Sequence, residues 1–174
     1  MALQLQLESL SPAETRGIAA TVAGALRLGD VVALTGELGA GKTCFVQGAA
    51  HALGVRGRVT SPSFVLRREY QGQLPVLHLD VYRLSTLQEV LDIGYEEALD
   101  RNWVTFIEWG DAMSPLLPVD HLEVEFRLPD PAGLCAEAAD VEPRVVVIRP
   151  HGPDWARRMA GLSADLQRWR GSGA

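Results

Sequence analysis

Gly36-Glu37-Leu38-Gly39-Ala40-Gly41-Lys42-Thr43 satisfies the pattern G-x-x-x-x-G-K-[ST] at every fixed position. Glycines at this spacing let successive backbone N–H groups converge on a polyphosphate. A helix that starts where the loop ends adds its positive N-terminal end. The lysine ammonium reaches the β- and γ-phosphates, and the threonine hydroxyl is a ligand for Mg²⁺. At average composition the pattern arises by chance in roughly one chain in a hundred or fewer. The flanks agree with it. Val31–Thr35 is a short apolar run bounded by turn signals, the pattern of a central strand buried on both faces. The residues after the loop read as a helix to about Leu53, closed by Gly54. The sixteen basic residues of the chain are fifteen arginines and one lysine, and that lysine is Lys42. A planar guanidinium does not replace a compact ammonium in such a loop, so the sole lysine stands where a lysine does chemistry.

Moving outward, Leu3, Leu5 and Leu7 alternate with polar residues as in a half-buried strand. Ser11-Pro12-Ala13-Glu14 reads as a capping box with proline at the first helical position, opening a helix through Ile18, Val22 and Leu26 that Gly29 stops. Ser63–Tyr70 and Leu74–Asp80 read as a hairpin joined by the three-residue loop Gln71-Gly72-Gln73. Short helices are expected over Thr86–Leu91 and Tyr95–Arg101, and a buried strand over Trp103–Glu108. His121–Leu128 alternates like a half-exposed antiparallel strand, and Arg144–Arg149 is a further strand. The stretch between them, Pro129–Pro143, is rich in Pro, Ala and Gly and reads as the least structured. Trp155, Met159, Leu162, Leu166 and Trp169 form a helical stripe behind Asp154 as N-cap, read as the packing face of a C-terminal amphipathic helix over 154–170. The fold class is therefore α/β: a P-loop NTPase-like three-layer domain over residues 1–174, with central parallel strands and antiparallel additions at the edges.

Composition narrows the function. A chain of 174 residues can bury a real core, and 47% hydrophobic with 22% charged residues is an ordinary globular composition. The net charge of −6 argues against a protein that grips a phosphate backbone unaided. No secretory signal opens the chain, and no apolar run is long enough to span a bilayer. Two cysteines, Cys44 and Cys135, make no disulfide framework, which fits a reducing cytoplasm. Cys44 reads most simply as a small buried residue.

A phosphate loop of this kind needs a carboxylate at the end of a buried strand on the metal side. Two candidates occur, Asp80 after Leu77-His78-Leu79 and Glu108 after Thr105-Phe106-Ile107. Phosphoryl transfer uses both a metal ligand and a group that orients the attacking nucleophile, and spacing alone leaves the two roles open between them. His78 reads as a hydrogen-bonded, partly buried histidine in preference to a catalytic base. The histidines and cysteines lack metal-ligand spacing, and no nucleophile elbow occurs. Arg67, Arg68 and Arg83 read first as solvated charge, with Arg83 the strongest functional candidate of the three. Arg157, Arg158, Arg168 and Arg170 flank the C-terminal stripe, and an RNA- or partner-facing helix is the minority reading there.

Together with the loop, Thr60-Ser-Pro-Ser-Phe64, His78-Leu-Asp-Val-Tyr-Arg-Leu84, Gly94-Tyr-Glu96 and Ile107-Glu-Trp-Gly-Asp111 resemble the TsaE (YjeE) family, P-loop ATPases of bacterial tRNA threonylcarbamoyladenosine synthesis. The resemblance runs from about Ser11 to Asp111 and weakly through the Arg144–Arg149 strand. It implies ATP and Mg²⁺ as cofactors, bound by Gly36, Glu37, Leu38, Gly39, Ala40, Gly41, Lys42, Thr43 and Cys44. It further implies Glu108 as the second metal-side residue beside Thr43, and Asp80 as a catalytic residue with Lys42 near the γ-phosphate. Ser61-Pro62 would belong to a switch-like loop, and Trp109 would lie close to the nucleotide. Ser63, Cys44 and Gly110 depart from the usual threonine, threonine and proline, and none of them is a phosphate or metal ligand. The implied function is an ATPase subunit, weak alone, acting with TsaB- and TsaD-like partners that make the tRNA contact, without a membrane. The alternatives are a small-molecule or nucleoside kinase on the same loop, and a nucleotide-dependent switch whose conformation matters more than its turnover.

Overall fold

Val32 and Leu34 of β2 (Val31–Gly36) pack to one side of the sheet and Val31 to the other, so the strand is covered on both faces, as its unbroken apolar run requires. The computed structural model describes residues 4–128 and 143–170. Within these, β1 (Leu5–Ser9), β2, β3 (Arg67–Tyr70), β4 (Val76–Asp80), β5 (Val104–Glu108), β6 (His121–Arg127) and β7 (Arg144–His151) form one sheet in the order β1-β7-β6-β2-β5-β4-β3. The inner four strands, β6, β2, β5 and β4, are mutually parallel. β3 on one side and β7 and β1 on the other join antiparallel. One face carries α1 (Pro12–Ala23), α2 (Lys42–Ala52) and α5 (Gly152–Asp165). The other carries α3 (Leu87–Asp92), α4 (Tyr95–Ala98) and a 3₁₀ segment, Gly110–Leu116, over a smaller core of Val31, Leu77, Leu79, Ile107 and Met113. This is the expected three-layer α/β arrangement. No helix among the described residues is long and apolar enough to cross a membrane.

Several boundaries differ from expectation, each for a local physical reason. α1 ends at Ala23 and not at Gly29, because Arg158 takes the Ala25 carbonyl and Asp30 caps the Arg27 N–H at 2.7 Å, holding 24–30 as turns. Ser11 caps α1 through the Glu14 N–H, but Glu14 reaches back to the Leu10 N–H, so the capping box is only half formed. β3 starts at Arg67, since Ser63–Leu66 is spent in a turn where the Pro62 carbonyl accepts from Val65 and Leu66. The hairpin connection is five residues long, 71–75, because the Leu53 carbonyl at the end of α2 captures the Gln73 N–H at 2.8 Å, and Pro75 has no N–H for a ladder rung. β6 is parallel to β2 as well as antiparallel to β7: alternation reports one covered and one wet face and carries no information on strand direction. The N-cap of α5 is His151, and the cap comes from across the fold, Asp120 Oδ1 accepting the Asp154 N–H at 2.8 Å. Asp154 pairs instead with Arg157 and Arg158. The α5 stripe is packed against the body as expected, with Trp155, Met159, Leu162, Leu166 and Trp169 all buried. Leu3, the stretch 129–142 and Cys135 lie outside the described residues.

α1 and α2 cross at Gly48, where an added Cβ would sit 2.6 Å from Arg16 Cα and its carbonyl oxygen. Both are backbone atoms and cannot swing away. Gly48→Ala is expected to destabilise the fold by about 2 kcal/mol despite alanine's better helix propensity, lowering Tm by about 4–8 °C in a calorimetric scan.

Candidate functional site

The site is assembled where the parallel strands end. β2 runs into the glycine loop, β4 ends in Asp80 and β5 in Glu108, with Asp80 and Glu108 in register on neighbouring strands and Leu34 beside Glu108 on the other side. Strand alternation then fixes direction: Val76 and Phe106 face α2, so His78, Asp80 and Glu108, an even number of residues further on, face it too. In open parallel sheets this is the edge at which ligands bind.

The loop keeps its glycines for steric reasons. Gly36 has φ +130°, and a Cβ on it would lie 2.5 Å from the Phe126 carbonyl oxygen of β6. Gly41, the N-cap of α2, offers no side-chain cap, so the first-turn N–H groups of this eleven-residue helix are left for an external anion. Lys42 is only 4% exposed. Its Nζ donates to the carbonyls of Gly36 (2.7 Å) and Glu37 (2.9 Å) and lies 3.7 Å from the centroid of the Trp109 ring. Burial draws its pKa below the usual lysine value, against the opposing pull of Glu108, Asp80 and Asp111.

Thr43 Oγ1 donates to Glu108 Oε1 at 2.7 Å, and His78 Nε2 reaches the same oxygen at 2.8 Å. Asp80 is 2% exposed; its Oδ2 accepts from Ser63 Oγ (2.7 Å) and Ser61 Oγ (3.3 Å), and its Oδ1 from the Tyr82 N–H (3.0 Å). Trp109 occupies the left-handed region at φ 64°, a conformation costing roughly 1–2 kcal/mol for a side chain of this size. Its ring packs on Tyr82 with centroids 4.6 Å apart. Strain of this kind collects where a side chain must be aimed.

Leu38, Gly39, Gly41, Lys42, Thr43, Cys44, Ser61, Asp80, Glu108 and Trp109 all line one cleft of about 330 Å³. Gly36 and Glu37 stand behind it, lending their carbonyls to Lys42. Ala40, 1% exposed, closes the loop's turn with its N–H on the Glu37 carbonyl. Cys44 is half-buried and not buried: its thiol, pushed up by burial, donates to the Pro12 carbonyl and ties α2 to α1.

Two lining residues were missed as site residues, Ser63 and Tyr82, although both sit inside the quoted T-S-P-S-F and H-x-D-x-Y-R-L segments. A larger hollow of about 560 Å³ shares Gly39, Gly41 and Cys44 with the cleft and is walled by Ser9, Ser11, Thr15, Arg16 and Arg144. No local signal marks those residues, since three separate elements bring them together. Arg83 lies against the Phe64 ring at 4.9 Å, and Arg67 clamps the carbonyls of Ile93 and Gly94. Arg158 is a core clamp on Asp30, stacked on Trp155, and not a partner-facing residue.

A hydroxyl and a carboxylate held together are hard oxygen donors. That set suits Mg²⁺, which takes one or two protein ligands and keeps several waters. The donors present therefore fit the ion that the loop motif calls for.

The family model described as "Threonylcarbamoyl adenosine biosynthesis protein TsaE" matches residues 9–131. Among similar proteins, the Treponema pallidum tRNA threonylcarbamoyladenosine biosynthesis protein TsaE is 44% identical over 103 residues, 59% of this chain and 76% of that one. The protein of the same description from Bacillus subtilis is 39% identical over 125 residues, 71% and 78% of the two chains. That from Streptomyces coelicolor is 41% identical over 135 residues, 75% and 86%. The crystal structure of Bacillus subtilis YdiB superposes with a TM-score of 0.74 at 30% identity, covering 94% of this chain and 97% of that one. With most of its length so matched, the chain belongs to the TsaE family of tRNA threonylcarbamoyladenosine biosynthesis proteins.

Proposed function

We propose that this chain is an ATPase subunit that binds ATP with Mg²⁺ in the cleft and hydrolyses it in step with a partner complex that modifies the tRNA adenosine beside the anticodon. The observation that carries the reading is the Thr43–Glu108 contact at 2.7 Å directly behind Lys42, which joins the glycine loop to the end of β5. In this reading the α2 N-terminus and Lys42 hold the β- and γ-phosphates, and the adjoining hollow takes the base and ribose. Thr43 and Glu108 hold the metal side, where Mg²⁺ supplies neutralisation of the phosphate charge. Asp80, fixed by Ser61, Ser63 and Tyr82, orients the attacking water. The Ser61–Ser63 bonds to Asp80 couple the 60–64 segment to whatever fills the cleft, so nucleotide binding and partner docking share one loop.

The family's TsaB- and TsaD-like proteins are the proposed partners, in the cytoplasm, and the net charge of −6 favours tRNA contact through them and not through this chain. The test is the steady-state ATPase rate of the purified protein, alone and with the TsaB–TsaD pair, with and without tRNA. A slow rate alone that rises several-fold with the pair is expected. A high rate alone, unchanged by the pair, overturns partner dependence and favours a free-standing ATPase or a kinase.

A further inference from the structure

His78 sits in the middle of β4 with 0% exposure, its Nε2 2.8 Å from Glu108 Oε1 and its Nδ1 without a hydrogen-bond partner among the described residues. Burying an unpartnered ring nitrogen is unfavourable, and an apolar residue on this strand would avoid the loss. The histidine is therefore held for what Nε2 does. Its acceptor is a carboxylate oxygen, so the proton of this contact is on Nε2. That proton is pinned in the core, which excludes His78 as the base for water in the cleft.

Glutamate is loosely defined at its terminal torsion, whose wells are broad. Two donors on one oxygen, Thr43 Oγ1 and His78 Nε2, restrict that freedom and leave Oε2 as the oxygen still open to a ligand. A Thr43 hydroxyl that gave a lone pair to a metal could still donate its O–H to Glu108, so both bonds would go on holding Oε1. We propose that His78 is a positioning residue for Mg²⁺: its Nε2–H holds Glu108 Oε1 so that the other carboxylate oxygen faces the metal or its water. The proposal rests on Thr43 and Glu108 being the metal side of the site. Groups that hold a metal ligand from behind are worth about 10–100-fold in metal affinity.

Calorimetric titration of ADP into the full-length protein, in EDTA and across a Mg²⁺ series, tests this without turnover. His78→Gln keeps an N–H near the Nε2 position, whereas His78→Asn stops short of Glu108 and His78→Leu has no donor. Wild type and His78→Gln should give Mg²⁺ half-saturation within a few-fold of each other. His78→Asn and His78→Leu should raise it about 10–100-fold while leaving ADP affinity in EDTA unchanged. If His78→Leu does not fold, the Asn–Gln pair decides. Wild-type half-saturation in the Asn or Leu variant overturns the proposal, and so does a His78→Gln protein as impaired as His78→Leu, which would assign the effect to packing. Wild-type protein whose ADP affinity ignores Mg²⁺ overturns the metal-side reading itself, and this proposal with it.

Discussion

Lys42→Ala should lower ATP turnover by about 10²–10³-fold or more, and Lys42→Arg should fail to restore it. In the proposed reading the alanine removes the ammonium that would meet the phosphates and leaves them against Glu108, Asp80 and Asp111, the carboxylates that act on Lys42. Nucleotide affinity should fall as well, because phosphate charge is then met mainly by backbone N–H groups. Arginine retains the charge but not the shape. The lysine tip lies between two loop carbonyls at 2.7 and 2.9 Å and the Trp109 ring at 3.7 Å, with 4% of the residue exposed. A planar five-donor fork cannot occupy that space without displacing the loop or Trp109. Turnover and equilibrium binding measured on both variants, with thermal melts to show that they fold, check this. Near-normal hydrolysis by Lys42→Arg would sink the assignment of the lone lysine.

The two strand-end acids should separate in phenotype. Asp80→Asn is expected to keep nucleotide binding and lose about 10²–10⁴-fold in hydrolysis, the range carried by a positioned group that handles the nucleophile's proton. Its amide oxygen can still accept the Tyr82 N–H while its NH₂ donates to the Ser61 and Ser63 hydroxyls, so the 60–64 segment keeps an anchor while the charge proposed to lie beside the γ-phosphate is gone. Glu108→Gln should mainly shift Mg²⁺ dependence, by about 10–100-fold, since its carbonyl can still accept from Thr43 and His78 while the charge offered to the metal is lost. Turnover and ATP affinity measured against Mg²⁺ concentration for each variant distinguish the roles. The opposite pattern would exchange the roles of Asp80 and Glu108 and leave the fold untouched.

Local grammar was enough for the centre of this molecule. An apolar five-residue run followed by G-x-x-x-x-G-K-T admits few structures, because the glycines, the lysine and the helix start act within one continuous segment; β2, the loop and α2 appear where the sequence put them. The same holds for Asp80 and Glu108 as strand ends, since a buried apolar run closed by an acid is a one-dimensional signal. Direction, pairing and capping were not of that kind. The parallel pairing of β6 with β2, the Asp120 cap on α5 and the Leu53 carbonyl that lengthens the β3–β4 turn each join residues distant in sequence, so no window could contain both partners. The site divides along the same line. Its residue types were legible from the chain, but two contacts depended on strand register: the convergence of Thr43 and His78 on one oxygen of Glu108, and the Ser61–Ser63 clasp on Asp80. Register places side chains to within a hydrogen bond only after the whole sheet has formed, and that is a property of the packed fold and not of any stretch within it.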